Sequence, residues 1–153
     1  MRRFFTRRGF TLPELLLAAA ILVFVMCGIL ATYISCFELI STSKNLTLAI
    51  NAAQRQIEEI YDYNFSQIHA DYDNQTFTVD EISAGDSRGI IYVDDSNPDL
   101  LEVTISVCWR QRGNRIIGED LDLDGVLDPG EDFLVANNRI DSPAQLVTLI
   151  TPR

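Results

Sequence analysis

The sequence is poor in the side chains that most enzymes and zinc sites use. Among 153 residues there are one histidine, His69, and three cysteines, Cys27, Cys36 and Cys108. The cysteine spacing fits no zinc site, and a lone histidine in a polar stretch is typical of a solvated side chain. A Ser–His–Asp pattern and a phosphate-binding glycine loop are both absent. We therefore expect that the protein is not an enzyme.

The three cysteines also do not predict a disulfide framework. Cys27 lies in an apolar segment, and Cys36 and Cys108 could pair only if the fold brought them together. Three unpaired cysteines that act as small buried hydrophobic residues are the simpler interpretation.

Acidic residues are almost missing from the beginning of the chain. The first is Glu14 and the next is Glu38, whereas residues 1–9 contain four of the 12 basic residues. Without those four arginines, 8 basic residues remain against 22 acidic ones, and the formal charge changes from −10 to −14. Phosphate neutralisation needs a basic surface, so we expect no nucleic-acid partner. An acidic body suits cation binding or solubility outside the cytoplasm.

Charge is absent from residues 15–37, of which only Gly28, Thr32 and Ser35 are not apolar. About 20 such residues span a bilayer as a helix, and the run lacks the polar stripe of a soluble core helix. Because arginines precede the run, the N-terminus is expected in the cytoplasm and the rest outside. A cleaved secretory signal is the alternative, but its apolar region is shorter and ends at a small-residue site.

The segment around Glu14 resembles the N-terminus of type IV prepilins and of type II secretion pseudopilins. It reads Arg7-Arg8-Gly9-Phe10-Thr11-Leu12-Pro13-Glu14-Leu15-Leu16. The shared features are a basic leader that ends at Gly9, then Phe10, then Glu14 as the fifth residue after the cut, and an apolar helix. The resemblance, a class III-type processing motif, covers about residues 2–37 closely and the later domain layout more loosely.

The resemblance implies how the chain is processed and assembled. A prepilin peptidase would cut between Gly9 and Phe10 and methylate the new amine of Phe10. Glu14 would pair with the Phe10 ammonium of a neighbouring subunit, which makes a buried carboxylate tolerable and sets axial register. The implied partners are this peptidase, other pilin or pseudopilin subunits, an inner-membrane assembly platform and membrane lipid. The implied location is the bacterial inner membrane and then a filament.

An apolar stripe continues the helix beyond the membrane segment. Its residues recur at spacings of 4, 3, 4 and 3, which is helical periodicity. They are Leu46, Ile50, Ala53, Ile57 and Ile60. The helix is expected to end between Tyr61 and Asn64. The predicted organisation is a leader (1–9), a membrane half of the helix (10–37), an extramembrane half (38–63) and a β-sheet domain (64–153).

Residues 64–88 are predicted to be a polar connecting loop that contains one short strand, and the β-branched segments after it predict an antiparallel sheet of about four strands. The predicted strands are Thr76–Val79, Gly89–Val93, Leu101–Arg110, Arg115–Gly118 and Gln145–Thr151, with turns at Asp94–Asp99 and Gly113-Asn114. In the third of these strands, apolar and polar residues alternate from Leu101 to Cys108, the pattern of a half-buried strand. The predicted fold class is α+β: a pilin-like long helix packed on a small antiparallel sheet, with a calcium loop between strands.

Residues 120–131 match the twelve-residue EF-hand-type calcium loop. In such a loop, side-chain oxygens at positions 1, 3 and 5 bind the ion, and a sharp turn follows, here at Gly125. Position 7 supplies a backbone carbonyl, position 9 a ligand through water and position 12 a bidentate carboxylate. The predicted ligands are Asp120, Asp122, Asp124, Val126, Asp128 and Glu131.

Calcium fits this loop better than magnesium because all donors are oxygens and the loop is flexible. A solvated acidic turn is the alternative. Because no helical periodicity flanks the loop, we expect a structural site of about 10⁻⁴–10⁻³ M affinity. Many type IV pilins close the C-terminal loop with a disulfide, and no cysteine follows Cys108, so calcium is hypothesised to replace that disulfide.

Two functions remain open from the sequence. The first is a structural subunit, a minor pilin or a pseudopilin, of a type IV pilus or a type II secretion-type filament. The second is a membrane-anchored, extracytoplasmic calcium-binding surface module that does not polymerise.

Overall fold

The computed structural model describes residues 11–83 and 85–152. The chain separates into two compact units, with the boundary between Leu39 and Ile40. Its helices and strands are α1 (Leu12–Tyr61), α2 (Phe65–Tyr72), β1 (Thr76–Phe77), β2 (Ser87–Asn97), β3 (Leu100–Gln111), β4 (Arg115–Ile117) and β5 (Ala144–Ile150). The fold class is α+β, as the sequence predicts.

The first unit contains the apolar part of α1. Pro13 and Glu14 occupy its first turn, where a fixed φ and a negative charge are both favourable. The large apolar side chains from Leu12 to Leu39 keep 48–80% of their surface exposed. Among the described residues, α1 is the one helix long and apolar enough to cross a bilayer. The predicted apolar N-terminal helix is confirmed.

The second unit begins with the rest of α1, which packs on the sheet. Ala49, Ala52, Ala53 and Ile60 are buried there, with Leu46, Ile50 and Ile57 packed around them. The predicted apolar stripe is therefore confirmed, and the helix ends at Tyr61 as expected.

The chain after α1 forms a second helix that the sequence does not predict. Asn64 caps α2 by accepting a hydrogen bond from the Ser66 N–H at 3.2 Å, a common start signal for helices. Ile68 and Tyr72 are buried on its inner face. The prediction of a loop from residue 64 is wrong because eight residues are too few for a clear periodic pattern.

The sheet is antiparallel, with the order β1-β2-β3-β4, and β5 also pairs with β3. The pairs Val93–Val103 and Ile91–Ile105 set the register of the central hairpin. The predicted turn at Asp94–Asp99 is too long, because β2 continues past an irregularity to Asn97. The first predicted strand is shorter than expected and comprises Thr76–Phe77.

Both faces of β3 are covered, which corrects the expectation of a half-buried strand. Thr104, Ser106 and Cys108 are 0–4% exposed although they lie on the more polar face. The long connection from β4 to β5 lies over this face and contributes Leu123 and Ile140 to a second apolar cluster. The side chains of this face are small, so a loop layer can cover them without leaving large polar groups in the interior.

All three cysteines are free, as the sequence predicts, but the expected burial is wrong for two of them because they lie on the apolar part of α1. Cys27 and Cys36 are exposed on α1, whereas Cys108 is buried in the second apolar cluster. Burial raises the pKa of the Cys108 thiol to about 11. This thiol therefore acts as a small hydrophobic side chain.

A buried amide joins the end of β3 to the sheet-packed part of α1. Gln111 is 7% exposed. Its Oε1 accepts hydrogen bonds from Asn45 Nδ2 and Trp109 Nε1, each at 3.2 Å. Its Nε2 donates to Ser41 Oγ at 3.1 Å. These bonds fix the position of the helix along the strand more precisely than apolar contacts can.

Candidate metal centre

Three of the predicted ligands come together in the loop between β4 and β5. Carboxylate oxygens of Asp120, Asp122 and Asp124 all lie within 4.8 Å of one another. Asp120 is only 1% exposed, while the other two carboxylates face solvent. An all-oxygen donor set of this kind fits a hard cation such as calcium or magnesium.

The loop backbone winds around the buried carboxylate of Asp120. Its Oδ1 accepts hydrogen bonds from Leu123 N at 2.7 Å and Asp124 N at 3.2 Å, and its Oδ2 accepts one from Gly125 N at 2.9 Å. Asp124 Oδ1 accepts from Val126 N at 2.7 Å. The first aspartate thus holds the loop in the tight conformation that brings the later aspartates beside it.

Gly125 meets two requirements of this winding. Its φ is +84°, in the left-handed region that favours glycine. A Cβ at this position would lie 2.5 Å from Thr76 Cγ2 and 3.2 Å from Arg88 Cγ. Any other residue would therefore strain the backbone and push the loop away from β1 and β2.

Glu131 connects the two ends of the loop. Its Oε1 accepts a hydrogen bond from Leu121 N at 2.7 Å, and its Oε2 accepts one from Asp128 N at 2.9 Å. These bonds place the Glu131 carboxylate, 5% exposed, at the closing position of the loop. Its oxygens do not belong to the group of three converging aspartates. The metal-ligand roles of Glu131, Asp128 and the Val126 carbonyl stay predictions.

Burial disfavours the ionised form of the Asp120 carboxylate. Burial raises the pKa of Asp120 to about 6, and the nearby charge of Glu131 acts in the same direction. The N–H groups of Gly125 and Leu123 act in the opposite direction and do not offset the burial. A cation beside this carboxylate would therefore favour its ionised form.

The loop is fixed to the sheet through its fourth residue. Leu123 is 4% exposed and packs with Ile90 and Tyr92 on β2. Its φ of +65° is uncommon for a leucine, and its carbonyl accepts a hydrogen bond from Arg88 Nε at 2.9 Å. The aspartates are thus carried by a segment that is anchored in the second apolar cluster.

The sequence does not predict the role of Glu119, the residue just before the loop. It is fully buried. Its Oε1 accepts hydrogen bonds from Phe133 N at 2.8 Å and from Leu134 N, and its Oε2 accepts one from Asp141 N at 2.9 Å. Glu119 thereby organises the chain that follows the loop. Because Glu119 lies outside the twelve-residue motif, the sequence pattern does not distinguish it from a solvated acidic residue.

The predicted processing and assembly residues lie at or before the start of α1. Gly9 and Phe10 lie outside the described residues. Glu14 is exposed, and its Oε2 lies 3.5 Å from Thr11 Oγ1. The carboxylate is therefore accessible to a partner from outside the chain.

No family model matches the chain, and neither a curated protein nor a solved structure matches it. The architecture of a long apolar N-terminal helix and a small antiparallel sheet is compatible with a pilin-like fold.

Proposed function

We propose that the protein is a structural filament subunit and not an enzyme: a minor pilin or pseudopilin of a type IV pilus or type II secretion-type filament. The observation that carries this proposal is the exposure of the whole apolar part of α1 next to an accessible carboxylate, Glu14. A surface of this size and composition requires either lipid or other helices around it.

The two environments correspond to two stages of the proposed life cycle. Before assembly the apolar helix lies in the inner membrane, with its N-terminus cytoplasmic and the sheet domain extracytoplasmic. After processing between Gly9 and Phe10, the same surface packs against the helices of neighbouring subunits. Apolar contacts alone allow such helices to slide, so a pair between Glu14 and the Phe10 ammonium of a neighbour would set their axial register.

The Glu14→Ala variant tests this proposal. We expect it to remain in the membrane fraction, because the apolar run is unchanged, and to be missing from sheared filaments. Leu12→Ala is the matched control, since it removes side-chain volume next to the same turn and leaves the carboxylate in place. Normal filament incorporation of the Glu14→Ala variant would favour the non-polymerising surface module instead.

We also propose that residues 120–131 bind calcium as a structural ion. Three facts support this: the converging oxygens of Asp120, Asp122 and Asp124, the burial of the first of them, and the anchoring of the loop to the sheet. A bound calcium ion would supply the positive charge that gathers the carboxylates. Since all three cysteines are free, the ion would take the stabilising role that a C-terminal disulfide has in many pilins.

Thermal melting of the full chain in detergent micelles tests the calcium proposal. Trp109 is the single tryptophan and is 1% exposed within the sheet unit, so its fluorescence reports the unfolding of that unit. We expect the midpoint to fall when a chelator removes calcium, and Asp120→Asn to abolish this response. Asp99→Asn, which changes an exposed acid on the β2–β3 turn, should keep it.

A further inference from the structure

Two segments of the otherwise acidic sheet unit contain no acidic residue. None lies between Glu38 and Glu58, and none lies between Glu102 and Glu119. The same segments contain five of the eight basic residues that follow the leader: Lys44, Arg55, Arg110, Arg112 and Arg115. The charge of this unit is thus distributed unevenly along the chain.

The fold brings parts of these two segments together. The side chain of Gln111, at the end of β3, forms hydrogen bonds with Ser41 at 3.1 Å and with Asn45 at 3.2 Å on α1. Lys44 follows Ser41 by three residues and so lies near it on the helix surface. Arg112 and Arg115 flank the turn that follows Gln111. These three basic side chains therefore share one end of the sheet unit.

The three cations are exposed and available to an anion. Lys44, Arg112 and Arg115 are all exposed. In the described part of the chain, none of them forms an ion pair within 4.0 Å. Arg110 differs, because its Nε lies 3.1 Å from Asp86 Oδ1 and its charge is already compensated.

In sequence, this end of the unit begins shortly after the apolar run. Ser41 is four positions after Phe37, the last residue of the run. Even a fully extended chain of that length spans at most about 14 Å, and a helix spans about 6 Å. The headgroup layer on each side of a bilayer is roughly 5–8 Å thick. A membrane that contains the run therefore has its headgroups within reach of this end.

We propose that Lys44, Arg112 and Arg115 form a binding surface for the phosphate groups of anionic lipids on the extracytoplasmic face of the membrane. This inference rests on the proposed membrane location of the apolar run. The acidic remainder of the unit is repelled by the same headgroups, so the contact also selects which end of the unit faces the bilayer. The subunit would thereby be held in one orientation before it enters a filament.

Hydrogen exchange of the full chain in lipid nanodiscs tests this surface. Discs of phosphatidylcholine alone are compared with discs that also contain phosphatidylglycerol. In the anionic discs we expect amides of residues 112–115 to exchange at least about fivefold more slowly, the factor that one basic residue contributes at an anionic surface. The effect should disappear in the double variant Arg112→Gln/Arg115→Gln.

The matched control is Arg55→Gln, which removes one exposed charge 14 residues beyond Ser41, about 21 Å along a helix. It should keep the protection. Equal exchange in both kinds of disc, with the chain still incorporated, would overturn the lipid surface and leave the membrane anchor intact. Protection that appears only with two copies per disc would overturn it in favour of a contact between subunits. Failure of the chain to enter discs at all would overturn the anchor as well.

Discussion

The Nε atom of Arg88 on β2 donates a hydrogen bond to the carbonyl oxygen of Leu123, the fourth residue of the acidic loop, at 2.9 Å. This bond links the backbone that carries the aspartates to the second strand of the sheet. Changes in the loop, such as the binding of a cation, are therefore expected to change the stability of the sheet unit.

Replacing Arg88 with glutamine should weaken calcium binding and lower stability. The variant loses the hydrogen bond to Leu123 and leaves a partly buried carbonyl without its partner, at a cost of about 1–3 kcal/mol. We expect a lower melting midpoint by Trp109 fluorescence and a higher calcium dissociation constant by titration calorimetry. Arg55→Gln is the control. Wild-type calcium affinity in the Arg88 variant would show that the loop does not depend on the sheet for its shape.

The stabilisation by calcium should depend on pH. Because the pKa of Asp120 is raised to about 6 in the calcium-free fold, the folded chain holds more protons than the unfolded chain between the ordinary carboxyl pKa and about 6. The calcium-free protein therefore loses stability as the pH rises through this window. Calcium acts on the ionised carboxylate, so its effect should grow in the same direction.

Melting midpoints with calcium and with chelator, at pH 5 and at pH 7, measure this dependence. We expect a larger difference between the two conditions at pH 7. The Asp99→Asn variant should show the same trend as the wild type. An equal difference at both pH values would mean that Asp120 does not govern the binding of the ion.

Glu119→Gln should loosen the chain after the loop. The glutamine side chain keeps the shape but replaces one acceptor oxygen with an NH₂ group. This group would face either the N–H groups of residues 133 and 134 or that of residue 141. Loss of a charge-assisted bond at a buried site costs about 1.5–3 kcal/mol. Hydrogen exchange over residues 132–141 should be faster than in the wild type, whereas the exposed control Glu58→Gln should change nothing there.

Gln111→Leu should weaken the attachment of residues 40–46 of α1 to the end of β3. The variant removes the acceptor of Trp109 Nε1 and of Asn45 Nδ2, and the donor to Ser41. An unsatisfied buried indole N–H costs about 1–3 kcal/mol. We expect faster hydrogen exchange at residues 40–46 and a red-shifted Trp109 emission. An unchanged spectrum together with unchanged exchange would show that apolar packing alone holds the helix on the strand.

The sequence predicts the parts of this fold that depend on periodic patterns. The stripe from Leu46 to Ile60 predicts a helix and the alternation around Val103 predicts a strand, and the structure has both elements, although the strand is covered on both faces. The sequence does not predict helix α2, because only the Asn64 cap and two buried residues indicate a helix there. The sequence also does not predict the burial of Thr104 and Ser106, because it depends on a loop that returns from a distant part of the chain.

In the candidate site too, local patterns could be predicted and contacts between distant residues could not. The spacing of Asp120, Asp122 and Asp124 predicts that their carboxylates converge, and they do. The roles of Arg88 and Glu119 could not be predicted, because each acts through backbone groups that are 14 or more residues away in sequence. Such contacts leave no local pattern of residue types.

In the proposed filament, a processed apolar helix offers its new amine to the carboxylate of a neighbouring subunit, so the mass of the mature protein is decisive. The full chain should be expressed together with a prepilin peptidase, extracted from membranes and measured intact and after digestion. We expect a chain that begins at Phe10 with a methylated amine. A chain that keeps residues 1–9, or one that begins well beyond Phe10, would contradict it.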